Sequence, residues 1–443
     1  MRKERIGNYQ EKERRNEISQ WGFDRPTCII DSQSGPGLIG DPAEQSYMRA
    51  FLMAGEDDLV LTDFQLNQTY INGYLKNTLG LEIPNFWVVN HQNLETLTDH
   101  LISDREALSE VRQWLVTRRS QVQFFEVTDK EADLLECMGN PRATCGNVEA
   151  ASEIGSKTGF RRLCRKLGVL HPPGFICQSF EDTVKAVDRL MKVGRQGLIK
   201  VDFGTGGYEL RSNNLFSEKD WRKSGKDLET YVEEKLAYFK HLLGKEWVVE
   251  QYVGGSLGSV HVYIKNESEA TSPVAFGQDC ENDSYIGGYL PCQSPETKIM
   301  EEEVAKKLVP ALQERGVFGF VCFDYRGNWF LECNARPGAL DFIDHFVTRV
   351  VERHQIPSPY AWYHAHTNLP VDRITFEGLF QRLQDDLRPE INDSGNLPLI
   401  TNPEVLPWGR SLDLTVINYG NGAGVDRAKR GFEEFRGIIE QKL

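Results

Sequence analysis

The 443-residue sequence predicts an α/β fold: a small parallel sheet at the N-terminus, a larger α+β body, and a small C-terminal region. Three observations support this. Short β-rich runs alternate with helical patterns through the first third. A lysine-bearing strand, a glycine loop and further strands then lead to the hairpin Val317 to Gly338, VFGFVCFDYRGNWFLECNARPG. Finally, a strand, a glycine turn and a charged helix close the chain.

Taken in order, the first unit reads as strand Thr27 to Asp31, helix Pro42 to Met53, strand Leu59 to Leu61, a helix around Asn67 to Asn77, and strand Phe86 to Val89. A long helix Leu94 to Thr117 and strand Gln123 to Val127 come next, and Thr128 with Glu131 forms a capping box for the next helix. Gly35-Pro36-Gly37-Leu38-Ile39-Gly40 is formally a G-x-G-x-x-G, which raises the rival reading of a nicotinamide-dinucleotide oxidoreductase. Its setting is poor. Ser32 to Ser34 separate it from the strand, and the acid ending the next strand, Asp63, lies further on than the ~20 residues that a ribose contact expects. Asn140 to Glu149 breaks the alternation, placing a boundary near 145.

Beyond it come a helix with Lys157, the stiff turn GVLHPPG, and strand Phe175 to Gln178. Strand Leu198 to Val201 carries Lys200, whose ammonium needs an anionic or polar partner if buried. The glycine loop Phe203 to Tyr208 lets backbone N–H groups approach phosphate oxygens. Trp247 to Val253 and Val260 to Ile264 read as strands, then Pro273 to Gly277, and Gln278 to Gln293 reads as a polar loop. From Asn266 to Thr297 there is no Lys or Arg, whereas Asp279, Glu281 and Asp283 cluster. If that loop closes over a substrate, it favours a cationic one. His364-Ala365-His366 share a face only on a strand, and a metal reading lacks a third ligand.

In the hairpin, Val317 to Asp324 and Trp329 to Cys333 are strands around Arg326-Gly327-Asn328. Alternation puts Phe330, Glu332 and Asn334 on one face, with Asp324 opposite Phe330 and diagonal to Glu332. Two carboxylates and an amide make a hard oxygen set suited to Mg²⁺, and Arg336 adds a planar fork for an anion. A lone Asp-Glu pair on a hairpin is ordinarily just solvated. The string D…E-x-N-x-R-P-G is more specific.

FLECNARPG preceded by FGFVCFDY resembles the metal-binding hairpin of the ATP-grasp superfamily, and the order of motifs from Lys157 to Gly338 is similar to that family's. The resemblance implies a Rossmann-like pre-ATP-grasp domain (1–145), a two-lobed ATP-grasp domain (146–370, with a lid lobe about 175–250 and a metal lobe about 251–345) and a small C-terminal region (371–443). It implies that Lys157, Lys200, Gly206, Gly207, Glu250, Gln251 and Val253 bind ATP, that Asp324, Glu332 and Asn334 bind Mg²⁺, and that Lys200 and Arg336 are catalytic. Leu257 and Ser259 stand where the family commonly has a ribose-binding acid. The layout looks most like carboxylate-amine (peptide) ligases of the pheganomycin-ligase type. That likeness implies ADP-forming amide synthesis through an acyl phosphate, with a carboxylate substrate and an amine substrate. An ATP-binding regulatory protein without ligase chemistry is a further alternative, against which the intact Glu332 and Asn334 speak.

Composition narrows the setting. A chain that is 40% hydrophobic and 26% charged holds two or three cores at about 100–200 residues per domain. A net charge of −14 with pI near 5.3 argues against a nucleic-acid partner. Nine cysteines without a C-x-x-C pair suit reduced thiols. The charged N-terminus lacks a signal-peptide core and no run of about 18 apolar residues occurs, so a cytoplasmic protein without a membrane partner is expected. The oligomeric state is open, a homodimer among the options.

Overall fold

The computed structural model describes residues 23–32, 48–62, 65–89, 96–202, 214–237, 244–281, 284–368, 374–403 and 411–443. The glycine motif Gly35 to Gly40, Asp63, the glycine loop with Gly206 and Gly207, and Asp283 lie outside these residues.

The N-terminal unit is a four-stranded parallel sheet of β1 (Thr27–Ile30), β2 (Leu59–Thr62), β3 (Asn85–Val88) and β4 (Gln121–Phe124), in the order β3-β2-β1-β4. Its strands are short and mostly apolar, as strands covered on both faces are. Between β2 and β3 runs α1 (Thr69–Thr78), a π-type helix burying Tyr70, Ile71, Tyr74 and Leu75. The expected long helix is in fact two, Leu97–Ser103 and Arg105–Arg118, because the Asp104 carboxylate accepts from the amides of Glu106 and Ala107 and starts a new helix. Thr128 and Glu131 form the expected capping box.

α2 (Lys157–Leu167) starts at Ser156, whose hydroxyl accepts from the Gly159 amide, and ends at Gly168 in the left-handed region. The next sheet comprises β5 (Gly174–Cys177), β6 (Gly197–Val201), β7 (Leu215–Phe216) and β8 (Trp247–Gln251), antiparallel in the order β5-β8-β6-β7. It has its own core, in which Val187 and Met191 from the helix Phe180–Lys192 meet Ile199 and Val249.

The largest sheet has eight antiparallel strands: β9 (Leu257–Ile264), β10 (Val274–Glu281), β11 (Ser284–Leu290), β12 (Gly319–Arg326), β13 (Trp329–Asn334), β14 (Tyr360–Asn368), β15 (Ser394–Asn402) and β16 (Ser411–Gly420). Their order is β13-β12-β9-β10-β11-β14-β16-β15. α3 (Ala339–His354) comes after β13, and α4 (Val425–Lys442) closes the chain.

This sheet corrects two expectations. The polar stretch after Gly277 is not a loop: β10 continues to Glu281 and pairs with β11, because a β-branched and aromatic return strand gives its backbone a partner. Residues 371–443 are not a region of their own either, since β14 pairs with β16 along nine residues and β16 with β15. Leu397, Leu399, Leu414 and Val416 share one core with Phe276, Phe346 and Tyr70. No helix among the described residues is long and apolar enough to cross a membrane.

Candidate active site

The hairpin β12/β13 carries a β-bulge. Asp324 stands directly opposite Glu332, while Tyr325 pairs with Phe330, so Leu331 is the extra residue. This corrects the diagonal relation that regular alternation implies, and it separates Phe330 from Glu332. Phe330 is buried with Phe323, Tyr325 and Cys333, and Glu332 and Asp324 face the other way. The bulge thus closes the carboxylate pair while keeping the aromatic residue in the core.

Around the pair, Gln278 Nε2 donates to Asp324 Oδ1 at 2.9 Å and Asn334 Nδ2 to Asp324 Oδ2 at 3.3 Å. Lys157 Nζ lies 3.3 Å from Glu332 Oε2. The helix start at Ser156 sets this geometry, placing Lys157 at the first helical position with its amide bonded to the Asp202 carbonyl at 3.0 Å. Burial, and then the Glu332 charge, push Asp324 up to about 7, against His261 and Gln278. Burial works the same way on Glu332, but the charges of Lys157 and Lys200 outweigh it and hold the group well below the usual carboxylate range.

Lys200 is buried and pairs with Glu250 at 2.7 Å, and Arg161 pairs with the other Glu250 oxygen. Arg161 also donates to the Pro172 carbonyl at 2.9 Å. Lys157, Phe160, Arg161, His171, Pro172, Lys200, Glu250, Phe330 and Leu331 line a cleft between the four-stranded antiparallel sheet and the hairpin. Gln251 ends β8 and Val253 follows it. The Gln251 side chain accepts from Arg195, and the Val253 carbonyl from Arg326 at 3.5 Å. Arg336 leaves the hairpin toward the N-terminal unit, its guanidinium 4.5 Å from the Phe125 ring centroid.

The oxygen set fits a hard cation. Among the described residues no three His, Cys, Asp or Glu groups are arranged around a metal position, so an ion here would rest on Asp324, Glu332 and the Asn334 amide and complete its shell with phosphate and water oxygens.

Lys157, Lys200 and Glu250 thus line one cleft, and Lys157 ties it to Glu332, which stands beside Asp324 and Asn334. Glu250 is buried and paired with two cations, Arg161 and Lys200. Two placements differ from expectation. Ser259 is turned to His261, whose other ring nitrogen is 2.7 Å from Asp341, inside the protein. Asp279 faces away from the cleft and pairs with Lys429 of α4 at 2.7 Å, while Glu281 is exposed at the strand end. Sequence reasoning missed Arg161 and Gln278. Arg161 had a signal, since it lies one helical turn after Lys157.

No protein-family model matches the sequence, and no curated protein is recognisably similar to it. Solved structures are similar over nearly the whole chain. A biotin carboxylase in complex with β,γ-ATP from Campylobacter jejuni superposes with TM-score 0.56 at 12% identity, covering 94% of this chain and 95% of that one. The N5-carboxyaminoimidazole synthetase of Staphylococcus aureus, complexed with ADP, gives 0.53 at 14% identity, covering 95% and 98%. The fold is ATP-grasp. The biotin carboxylase domain of the Hydrogenobacter thermophilus 2-oxoglutarate carboxylase, with MgADP and bicarbonate, shares this fold at 0.52 and 11% identity, covering 89% and 86%. In this chain the described residues form a four-stranded parallel sheet, a four-stranded antiparallel sheet and an eight-stranded sheet.

Proposed function

We propose that the protein is an ADP-forming ligase that activates a carboxylate with ATP as an acyl phosphate and joins it to an amine. The observation that carries this reading is that Lys157 and Lys200 line one cleft and that Lys157 reaches Glu332, which stands opposite Asp324. The cations and anions now neutralise one another. Lys157 would hold nucleotide phosphate oxygens in place of Glu332, and Glu332 would then be available to hold Mg²⁺. The metal would supply charge neutralisation at the transferring phosphoryl group. Lys200, fixed by Glu250, presents its charge to the phosphates without searching rotamers. Arg336 offers a planar fork to the carboxylate or the acyl phosphate. A free carboxylate is a poor electrophile because its leaving group would be oxide, and phosphorylation provides one that these cations stabilise.

The test is product analysis with acids and amines offered singly and in pairs. Bicarbonate belongs among the acids, being named with the Hydrogenobacter structure. ADP and phosphate appear only with Mg²⁺ and both substrates on this reading. AMP and pyrophosphate as products would refute it.

A further inference from the structure

The face of the large sheet that carries Asp324 extends well beyond the hairpin. Asp324 pairs with Ser259, Ser259 with Phe276, Gln278 with Gly288, Gly288 with His364, and His364 with Thr415. Directly paired residues share a face and next neighbours alternate, so Gln278, His364, His366, Asp413 and Thr415 lie on the Asp324 side. A bulge after Asp279 pairs Cys280 with Tyr285 and brings the Tyr285 ring edge-on to His366, 6.2 Å between centroids. The lower part of the face is apolar and covered by α3, with Leu340 against Gly288 and Asp344 accepting from the Trp362 indole. The upper part is a polar band in which Gln278 and Tyr285 are partly buried and His366 is exposed.

This band has features that phosphoryl transfer does not use. The Tyr285 hydroxyl is buried with no hydrogen-bond partner, an arrangement that costs free energy unless a ligand answers it. His366 Nδ1 pairs with Asp413, which is buried beneath it, and His364 Nδ1 lies 3.0 Å from the Thr415 hydroxyl. The Asp413 carboxylate accepts from Nδ1–H of the neutral His366 ring, which leaves Nε2 as that ring's acceptor. None of the strands β10, β11, β14, β15 or β16 contains a lysine or arginine. From β12 to β14 is four strand spacings, on the order of 19 Å.

We propose that this band is the subsite for the amine substrate, and that it takes an elongated, peptide-like amine whose far end is a cationic group accepted by His366 over Asp413. The proposal rests on the ligase reading. Gln278 and Tyr285 contact the middle of the guest, and its reacting amine lies at the Asp324 end. The negative charge that selects the guest is Asp413, not the run at 279–283, whose Asp279 faces the opposite side and is answered by Lys429.

Calorimetry on the full chain with Mg²⁺ and a non-hydrolysable ATP analogue tests this, using the amides of Gly-Gly-Lys, Gly-Gly-Gln and Gly-Gly-Glu as probes. The lysine peptide should bind at least about tenfold more tightly than the glutamate peptide, the scale of one desolvated charge contact. Asp413→Asn and His366→Ala should reduce that ratio to about twofold or less with analogue affinity unchanged, and Asp279→Asn should preserve it. Tyr285→Phe, which removes only a hydroxyl, should weaken all three peptides by about three- to tenfold. Equal binding of the three peptides, or variants that keep the wild-type ratio, would overturn the subsite. The ligase reading fails separately, if charge-selective peptide binding is present but no acid and amine pair releases ADP.

Discussion

Glu332 and Glu250 are both glutamates held by lysines, and their surroundings give them opposite roles. Glu332 is about a quarter exposed and has one lysine at 3.3 Å, so it can leave that contact for a metal. Glu332→Gln should leave the urea midpoint nearly unchanged while lowering kcat by at least ~100-fold, the scale of one lost electrostatic contact in a transition state. A folded variant with near-normal turnover would remove Glu332 from the site. Asp344 illustrates the cost of a buried acid with nothing to neutralise it. Burial, and then the Asp341 charge, raise it to about 7, against the Trp362 indole, and its second oxygen has no partner. Such an acid keeps a proton that the unfolded chain has lost, so its contribution makes the fold less stable as pH rises from about 4 to 7. Asp344→Asn keeps an oxygen for Trp362 and cannot ionise. It should flatten that slope and stabilise the protein at pH 8 by about 1–3 kcal/mol, as read from denaturation at several pH values.

At the scale of elements, the cleft is held by a buried charge network joining α2 to the four-stranded antiparallel sheet. Arg161 from α2 and Lys200 from β6 both bind Glu250 of β8. Three groups that are nearly unexposed cannot lose one member cheaply, because the remaining charges then lack both water and a partner. Glu250→Gln should therefore destabilise the fold by about 3–5 kcal/mol, in contrast to Glu332→Gln, and urea denaturation of the two variants side by side measures the difference. Equal stability of the two would mean that the network does not tie helix to sheet. The hairpin depends on geometry in a related way: the bulge at Leu331 sets the carboxylates face to face with Phe330 still in the core.

For the whole molecule, the large sheet binds the chain end to end. β14 pairs with β11 and with β16, and the N-terminal unit reaches the far edge through Tyr70 and Tyr74 of α1, whose hydroxyls bond the backbone of Ile400 at 2.9 and 3.0 Å. A chain ending at residue 370 would lose β15, β16 and α4 and expose β14 as a long edge beside an opened core. We expect it to be insoluble or to lack a cooperative thermal transition. A soluble 1–370 fragment melting cooperatively like the full chain would show that residues 371–443 are dispensable to the fold.

The sequence by itself determined the order of the polar residues on which the candidate site is built. Lys157, Lys200, Asp324, Glu332, Asn334 and Arg336 are legible because their chemistry is conspicuous against apolar strands and their order along the chain is distinctive. The parallel sheet was legible because its strands and helices alternate locally. Pairing was not, since β14 finds partners about 50 residues ahead and about 75 residues back, and no local pattern encodes that choice. Only the tertiary structure decided that Asp324 meets Glu332 directly, that Glu250 is spent on Arg161 and Lys200, and that Asp413 rather than Asp279 faces the cleft side. Each depends on strand register, where one bulged residue moves a side chain to the other face of the sheet.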